Sequence, residues 1–71
     1  MNELIIIGAG GFGREVLQWV KDINNNKPKW KLVGFLDDNV KALDGYECDY
    51  RVVGTIDEWI PKKNERFVMA I

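Results

Sequence analysis

The feature that most constrains this chain is a run of glycines placed directly after a short apolar segment. Leu4 to Ile7 is rich in β-branched residues, which is typical of a strand buried on both faces of a parallel sheet. The six residues that follow, Gly8 to Gly13, match the spacing G-x-G-x-x-G. In that spacing the glycines permit a tight turn, a close approach of backbone to phosphate and close packing of helix on strand.

A helix is predicted from about Gly11 to Asn24. Its apolar residues recur at spacings of three and four, the period of a helix: Phe12, Val16, Val20 and Ile23. The three asparagines at positions 24–26 tolerate left-handed backbone, and Pro28 cannot continue a helix. We therefore expect the helix to end there and the chain to return to the sheet.

The second half of the chain predicts three further strands. Residues 32–36 form an apolar run that ends at Asp37, and residues 51–53 and 66–71 are the other two apolar segments. Residues 39–49 show no period, and Asp44-Gly45 is a turn signal, so this segment is predicted to be a surface loop.

A short second helix is expected between the last two strands. Thr55 and Glu58 have the spacing of a capping box, with Trp59 and Ile60 expected to face inward and Pro61 to end the helix. The predicted order is β-α-β-β-α-β, an α/β, Rossmann-like parallel sheet of about four strands. Because the last apolar strand has no helix to cover it, we expect residues 1–71 to be one N-terminal domain of a longer protein.

Composition excludes several classes of function. The net charge is −1 and the pI about 5.3, so the chain lacks the excess of cations that a nucleic-acid-binding protein needs. The longest apolar run is too short for a membrane span or a secretory signal, and we expect a cytoplasmic protein without membrane contact. Cys48 is the single cysteine and histidine is absent, so neither a disulfide, a metal site nor a nucleophile–base pair is expected within these residues.

The glycine run is the strongest candidate for a binding site. Backbone N–H groups at the start of a helix, together with the helix dipole, favour an anion such as phosphate. Arg14 follows directly and either adds a phosphate contact or is a solvated helix residue. A tight turn without any ligand would also need glycine, although four glycines in six residues exceed that need.

Two acidic residues form the second part of the candidate site. Asp37 lies 24 residues after Gly13, at the expected carboxyl end of the second strand, where dinucleotide sites place an acid against ribose hydroxyls. Asp38 is adjacent, and alternation along a strand end favours Asp37 as the residue facing the crevice. The alternative is that the pair begins a loop.

The three tryptophans are expected to pack in the core, and the alternative is that one of them lines a ligand pocket. They are Trp19, Trp30 and Trp59.

Four segments, taken in order, resemble one family. They are residues 5–16, with IIIGAGGFGREV, residues 33–38, with VGFLDD, residues 52–58, with VVGTIDE, and residues 67–71, with FVMAI. Together they resemble the N-terminal domain of the sialic acid O-acetyltransferase (NeuD) and PglD-like sugar acetyltransferases, from Glu3 to Ile71. One departure is visible, because Phe12 stands where the family commonly has histidine.

The resemblance implies a function for the domain. In such proteins a small Rossmann-like domain holds a free or nucleotide-linked sugar such as a UDP-sugar, and a following left-handed β-helix binds acetyl-CoA and carries the general-base histidine. Full-length members are usually homotrimers, and polysaccharide biosynthesis is the expected setting. By this resemblance the diphosphate or sugar would lie against Gly8, Gly10, Gly11 and Gly13, and the nucleoside near Asp37 and Asp38. Phe12 and Arg14, within and directly after the glycine run, complete the candidate substrate-binding residues.

Two alternatives remain open from the residues themselves. The first is the NAD(P)-binding half of an oxidoreductase, in which Asp37 accepts a hydrogen bond from a ribose hydroxyl. The second is a non-catalytic module that senses a nucleotide. In every case these 71 residues are expected to bind a ligand and not to catalyse a reaction alone.

Overall fold

The computed structural model describes residues 2–70, which form one four-stranded parallel sheet and one helix. In chain order the elements are β1 (Asn2–Ile7), α1 (Gly11–Asn26), β2 (Trp30–Leu36), β3 (Val52–Gly54) and β4 (Glu65–Met69). The order across the sheet is β3-β2-β1-β4, and every neighbouring pair is parallel. The prediction of an α/β, Rossmann-like parallel sheet is confirmed.

β1 is the centre of the structure. It pairs with β2 on one side and with β4 on the other, and Ile5 and Ile6, which point to opposite faces, are both 0% exposed. Burial on both faces explains why this strand is a continuous apolar run without polar alternation. Burying a side chain of this size stabilises the fold by roughly 1.5–3 kcal/mol.

α1 covers one face of the sheet, and its contact surface is narrower than the predicted apolar stripe. The buried residues of α1 are Gly13, Val16, Leu17 and Val20. Phe12 and Ile23 are each 47% exposed and Trp19 is 55% exposed, so the prediction that Trp19 lies in the core is wrong. A single helix on a sheet buries only its facing stripe, and apolar residues beyond that stripe stay in solvent. Trp30 is half-buried against the core.

The end of α1 differs from the sequence prediction. The helix continues to Asn26, and within residues 2–70 no residue other than glycine has a positive φ. The Asn24 side chain instead holds the connection to β2, because its Nδ2 donates to the Trp30 carbonyl oxygen at 2.8 Å. Its Oδ1 accepts from the backbone N–H groups of Lys29 and Trp30, each at 3.1 Å. These side-chain bonds replace a left-handed residue as the means of ending the helix.

The predicted second helix is wrong. Residues 55–61 form a single turn closed by the Trp59 N–H on the Thr55 carbonyl oxygen at 3.2 Å. The Thr55 hydroxyl donates to the Glu58 carboxylate at 3.1 Å, so the two side chains bond to each other and not in the reciprocal side-chain-to-backbone pattern of a capping box. The segment before Pro61 is too short to offset the cost of nucleating a helix, and Ile60 is 82% exposed. The observed order is therefore β-α-β-β-β.

The remaining predictions concern the loop and the last strand. The loop prediction for 39–49 is confirmed, with a turn at Gly45, where φ is +84°, and a bond from the Tyr46 N–H to the Leu43 carbonyl oxygen at 3.0 Å. The loop is tied to α1 by a 2.7 Å ion pair between Lys21 and Asp49. β4 ends at Met69, and Ile71, which was predicted to lie in this strand, is outside the described residues.

The Lys21–Asp49 pair also affects titration. The hydrogen bond from Lys21 lowers the pKa of the Asp49 carboxyl below its usual value and raises the pKa of the Lys21 ammonium. Both groups lie at the surface, where solvent and salt screen the interaction. The pair therefore orients the loop more than it stabilises the fold.

No helix within residues 2–70 is long and apolar enough to span a bilayer.

Glu65 provides a test of how the segment before β4 is held. Its carboxylate is buried and accepts from the Trp59 indole N–H at 3.1 Å and from the Lys62 N–H at 2.8 Å. Glu65→Ala leaves both donors without that acceptor and should lower the free energy of unfolding by about 1–3 kcal/mol in urea titrations. Glu58→Ala, at an exposed site in the preceding turn, should change it by less than about 0.5 kcal/mol. Equal effects of the two substitutions would contradict this role for Glu65.

Candidate functional site

The carboxyl ends of the strands are joined to one another by backbone hydrogen bonds. The Gly8 N–H after β1 donates to the Leu36 carbonyl oxygen at 2.8 Å, and the Ala70 N–H after β4 donates to the Ile7 carbonyl oxygen at 2.8 Å. The Asp37 N–H after β2 donates to the Gly54 carbonyl oxygen at 3.2 Å. All four strands therefore end in one row, and the first residues beyond them are held at fixed positions.

A cleft of about 300 Å³ lies at this row of strand ends. Its lining residues come from the segments that follow the four strands: Gly8, Gly10, Asp37, Asp38, Ile56 and Ala70. The chain places β2 and β3 on one side of β1 and β4 on the other. The cleft is therefore at the point where the strand order reverses, which is where open parallel sheets bind their ligands.

The glycines of the turn have different roles. Gly8 adopts φ of +102°, which residues with a side chain rarely adopt. A Cβ at Gly13 would overlap the carbonyl oxygen of Gly8, so α1 reaches the end of β1 only because this position lacks a side chain. A Cβ at Gly10 would meet no heavy atom within 4 Å. Gly8 and Gly13 thus shape the turn, whereas Gly10 leaves open space at the cleft.

The start of α1 carries free hydrogen-bond donors. Gly10 is the N-cap residue and provides no side-chain acceptor, and the first turn contains no acidic residue. The Arg14 N–H is the first to find a helical acceptor, on the Gly10 carbonyl oxygen at 3.1 Å. The preceding N–H groups, of residues 11–13, have no acceptor within a helix of this geometry. Together with the helix dipole they favour a negatively charged group.

Phe12 does not close this helix start. Its ring is 47% exposed and packs edge-to-face on Trp19, with the ring centroids 6.0 Å apart and an interplanar angle of 81°. Phe12 is absent from the residues that line the cleft. Phe12 therefore leaves the helix start open.

Arg14 brings a cation to the same end of the helix. Its guanidinium lies 3.7 Å from the centroid of the Tyr46 ring, a cation–π contact between α1 and the loop. One of its nitrogens would be 3.7 Å from a Cβ placed at Gly11, so the charge is beside the first turn. No sequence pattern indicated Tyr46, because it is distant along the chain and lies in an irregular loop.

Asp37 and Asp38 both line the cleft but have different surroundings. Asp37 is half-buried, and its Oδ2 accepts from the Ala9 N–H at 2.8 Å while its Oδ1 accepts from the Asn39 N–H at 2.9 Å. Asp38 is exposed. The structure thus brings both predicted acids to the glycine turn, and one of them bonds to the turn itself.

The structure groups the predicted site residues in two sets. Gly8, Gly10, Asp37 and Asp38 line the cleft, and Gly11, Phe12, Gly13 and Arg14 form the first turn of α1 behind it. Sequence reasoning missed Ile56 and Ala70, because the first was placed in a helix and the second in the body of a strand. Within residues 2–70 no cluster of three or more His, Cys, Asp or Glu side chains is arranged to hold a metal ion.

Alanine substitution of Gly13 and of Gly10 tests which glycine the fold requires. Gly13→Ala should lower the free energy of unfolding by about 3 kcal/mol, because the new methyl group overlaps backbone and not a flexible side chain. Gly10→Ala should cost less than about 1 kcal/mol, since its Cβ enters open space and only N-cap preference is lost. Urea unfolding followed by tryptophan fluorescence measures both. A Gly10→Ala protein as unstable as Gly13→Ala would contradict the described turn.

Comparison with known proteins agrees with this geometry. The sequence model of the PglD N-terminal domain matches residues 3–71, nearly the whole chain. Neither the curated proteins nor the solved structures that were searched include a significant match. The chain in which a βαβ unit, a glycine turn and acidic residues meet at one cleft thus matches this family model over nearly its whole length. The chain belongs to the PglD N-terminal domain family, the N-terminal domain of a group of sugar acetyltransferases.

Proposed function

We propose that this domain binds the acceptor sugar, free or nucleotide-linked, of an acetyl-CoA-dependent sugar N- or O-acetyltransferase. The observation that carries the proposal is the cleft at the carboxyl ends of all four strands, with a bare glycine turn on one wall and two aspartates on another. Open parallel sheets bind ligands at this position. Membership in the PglD N-terminal domain family supports a sugar as the class of ligand.

The two sides of the cleft suit two parts of such a ligand. Free N–H groups at the start of α1 and the nearby Arg14 guanidinium favour phosphate oxygens. Carboxylates accept hydrogen bonds, and the exposed Asp38 is available to hydroxyl, amine or base N–H donors. A diphosphate near Gly10 with its polar substituent near Asp38 therefore uses both kinds of group.

The proposed role of these residues is to bind and orient, and the acetyl group comes from elsewhere. The chain has no histidine, and its single cysteine, Cys48, is half-buried against the core, so these residue types offer no nucleophile–base pair for acyl transfer. We propose that a further domain of the full-length protein holds acetyl-CoA and receives the acceptor. That protein is proposed to be a cytoplasmic homotrimer acting in polysaccharide biosynthesis.

A specific observation also favours a second candidate, an NAD(P)-binding half-domain. The G-x-G-x-x-G turn followed by an acid at the end of β2 is the arrangement that meets the pyrophosphate and ribose of a dinucleotide. Each carboxylate oxygen of Asp37 already accepts one backbone N–H group, so a ribose hydroxyl would have to share the carboxylate with the protein. A non-catalytic sensing module would bind a nucleotide without turnover in the full-length protein, so formation of any product from acetyl-CoA and an acceptor sugar would exclude it.

Side-by-side calorimetric titration of the chain separates the ligand classes. We expect heat of binding with UDP and with a UDP-linked amino sugar, and none with NADH under the same conditions. Binding of NADH in preference to both uridine ligands would contradict the proposed function and support the NAD(P)-binding half-domain of an oxidoreductase.

Gly10→Ala tests whether the ligand occupies the described cleft. Gly10 lines the cleft, and a methyl group there meets no heavy atom of the protein within 4 Å, so the fold is undisturbed while a ligand loses its close approach to the backbone. We expect affinity for UDP to fall by about tenfold or more, which corresponds to about 1.4 kcal/mol. Asn25→Ala, at the far end of α1, is the control and should bind as the unmodified chain does. Unchanged affinity in a folded Gly10→Ala protein would place the ligand elsewhere.

Arg14→Gln tests the phosphate side of the cleft. Removing the guanidinium should weaken UDP and UDP-sugar by several-fold and leave the affinity for an unphosphorylated sugar unchanged, because only the phosphates respond to that charge. Raising the salt concentration should reduce the difference between Arg14→Gln and the unmodified chain. Equal losses for phosphorylated and unphosphorylated ligands would contradict a phosphate contact.

A further inference from the structure

Asp37 is bonded to the glycine turn across 28 residues of sequence. Its Oδ2 accepts from the N–H of Ala9, the second residue of the turn, at 2.8 Å. Its Oδ1 accepts from the Asn39 N–H at 2.9 Å, which holds the carboxylate plane. The backbone of Asp37 is in turn fixed, because its N–H donates to the Gly54 carbonyl oxygen at 3.2 Å. The carboxylate is thus a rigid acceptor aimed at the turn.

The Ala9 N–H depends on this acceptor. Ala9 is 0% exposed, so solvent does not reach the residue. A buried backbone donor without a partner costs about 1–3 kcal/mol, and the turn would have to rearrange to avoid that cost. The neighbouring Gly8 already donates its N–H to the Leu36 carbonyl oxygen at 2.8 Å. Two successive N–H groups of the turn are therefore both held by the end of β2.

We propose that Asp37 is a positioning residue of the sugar-binding cleft, acting through the Ala9 N–H to hold the glycine turn in its binding conformation. The identity of the ligand rests on the proposed function, whereas the effect of Asp37 on the glycine turn does not. It assigns to Asp37 a role different from that of an acid that accepts from the ligand. Two of the acceptor positions of the carboxylate are used within the protein, and its charge is close to the proposed phosphate position.

The negative charge of Asp37 distinguishes a positioning role from direct binding of the ligand. A negative charge beside the glycine turn opposes a phosphate, so neutralising Asp37 while keeping an acceptor oxygen should not weaken binding. Asp37→Asn retains one oxygen that accepts from the Ala9 N–H. The Asn39 N–H, in an exposed residue, can donate to water in place of the lost carboxylate oxygen. Asp37→Ala removes the acceptor altogether. A carboxylate that bound the ligand directly would make the two substitutions similarly harmful.

The experiment compares the chain with Asp37→Asn, Asp37→Ala and the control Asn25→Ala, at the exposed far end of α1. One readout is the affinity for UDP by calorimetry, and the other is the hydrogen exchange rate of the Ala9 amide by ¹⁵N NMR. We expect Asp37→Asn to bind UDP within threefold of the unmodified chain or more tightly, and Asp37→Ala to bind at least tenfold more weakly. The Ala9 amide should exchange at least tenfold faster in Asp37→Ala than in the other three proteins, while the Ile6 amide in the core stays protected.

The outcomes separate this inference from the proposed function. If none of the proteins binds UDP, a uridine-nucleotide-linked sugar is wrong as the ligand, yet the Ala9 exchange rates still decide whether Asp37 holds the turn. Unchanged Ala9 exchange in Asp37→Ala, or loss of binding in Asp37→Asn equal to that in Asp37→Ala, would overturn the positioning role. If Asp37→Ala does not fold, Asp37→Asn decides alone. A tenfold loss of UDP affinity with the Ala9 amide still protected would overturn the positioning role, because the carboxylate would then act on the ligand and not on the turn. Loss of both UDP affinity and Ala9 protection would support it.

Discussion

The structure depends on the direct contact between the first turn of α1 and the end of β1. A Cβ at Gly13 would overlap the carbonyl oxygen of Gly8, so backbone meets backbone at this point. The contact fixes where the helix begins and brings its stripe of buried residues over Leu4 and Ile6. It also aims the free N–H groups of the helix start past the end of the sheet. The packing of α1 on the sheet and the exposure of its first N–H groups to a ligand thus both depend on the contact between Gly13 and Gly8.

The same region shows how the fold turns a sequence motif into a site. The glycine turn is a backbone feature and cannot by itself select a ligand. Its surroundings come from β2, which supplies Asp37 and Asp38, and from the segments after β3 and β4, which supply Ile56 and Ala70. Backbone bonds between successive strand ends hold these groups in place. Selectivity within the cleft is therefore a property of four separate segments.

The sheet is covered unequally on its two faces. α1 packs on one face, whereas the other is covered in part by the turn that carries Trp59, whose ring lies against Gly54. Several apolar side chains on or beside this second face remain exposed: Ile56, Ile60, Phe67 and Met69. Apolar composition alone does not distinguish a covered face from an open one, which is why the inward placement of Ile60 was wrong.

The sequence by itself determined the strand–turn–helix unit, the parallel sheet and the position of the acids at the end of β2. These follow from local rules, since apolar runs, helical periodicity and glycine spacing each depend on neighbours along the chain. The extension of α1 to Asn26 and the absence of a helix after Thr55 depended on contacts made in three dimensions. Asn24 bonds across the connection to β2, and Glu65 holds the Trp59 indole.

Only the tertiary structure decided what the site residues do. Arg14 meets Tyr46 of the loop and Asp37 meets the Ala9 N–H, and both pairs are far apart in sequence. A residue type and its spacing can indicate that a carboxylate lies at a strand end. Which donor it accepts from depends on how the strand ends are arranged beside one another, and that arrangement is set by the register of the sheet.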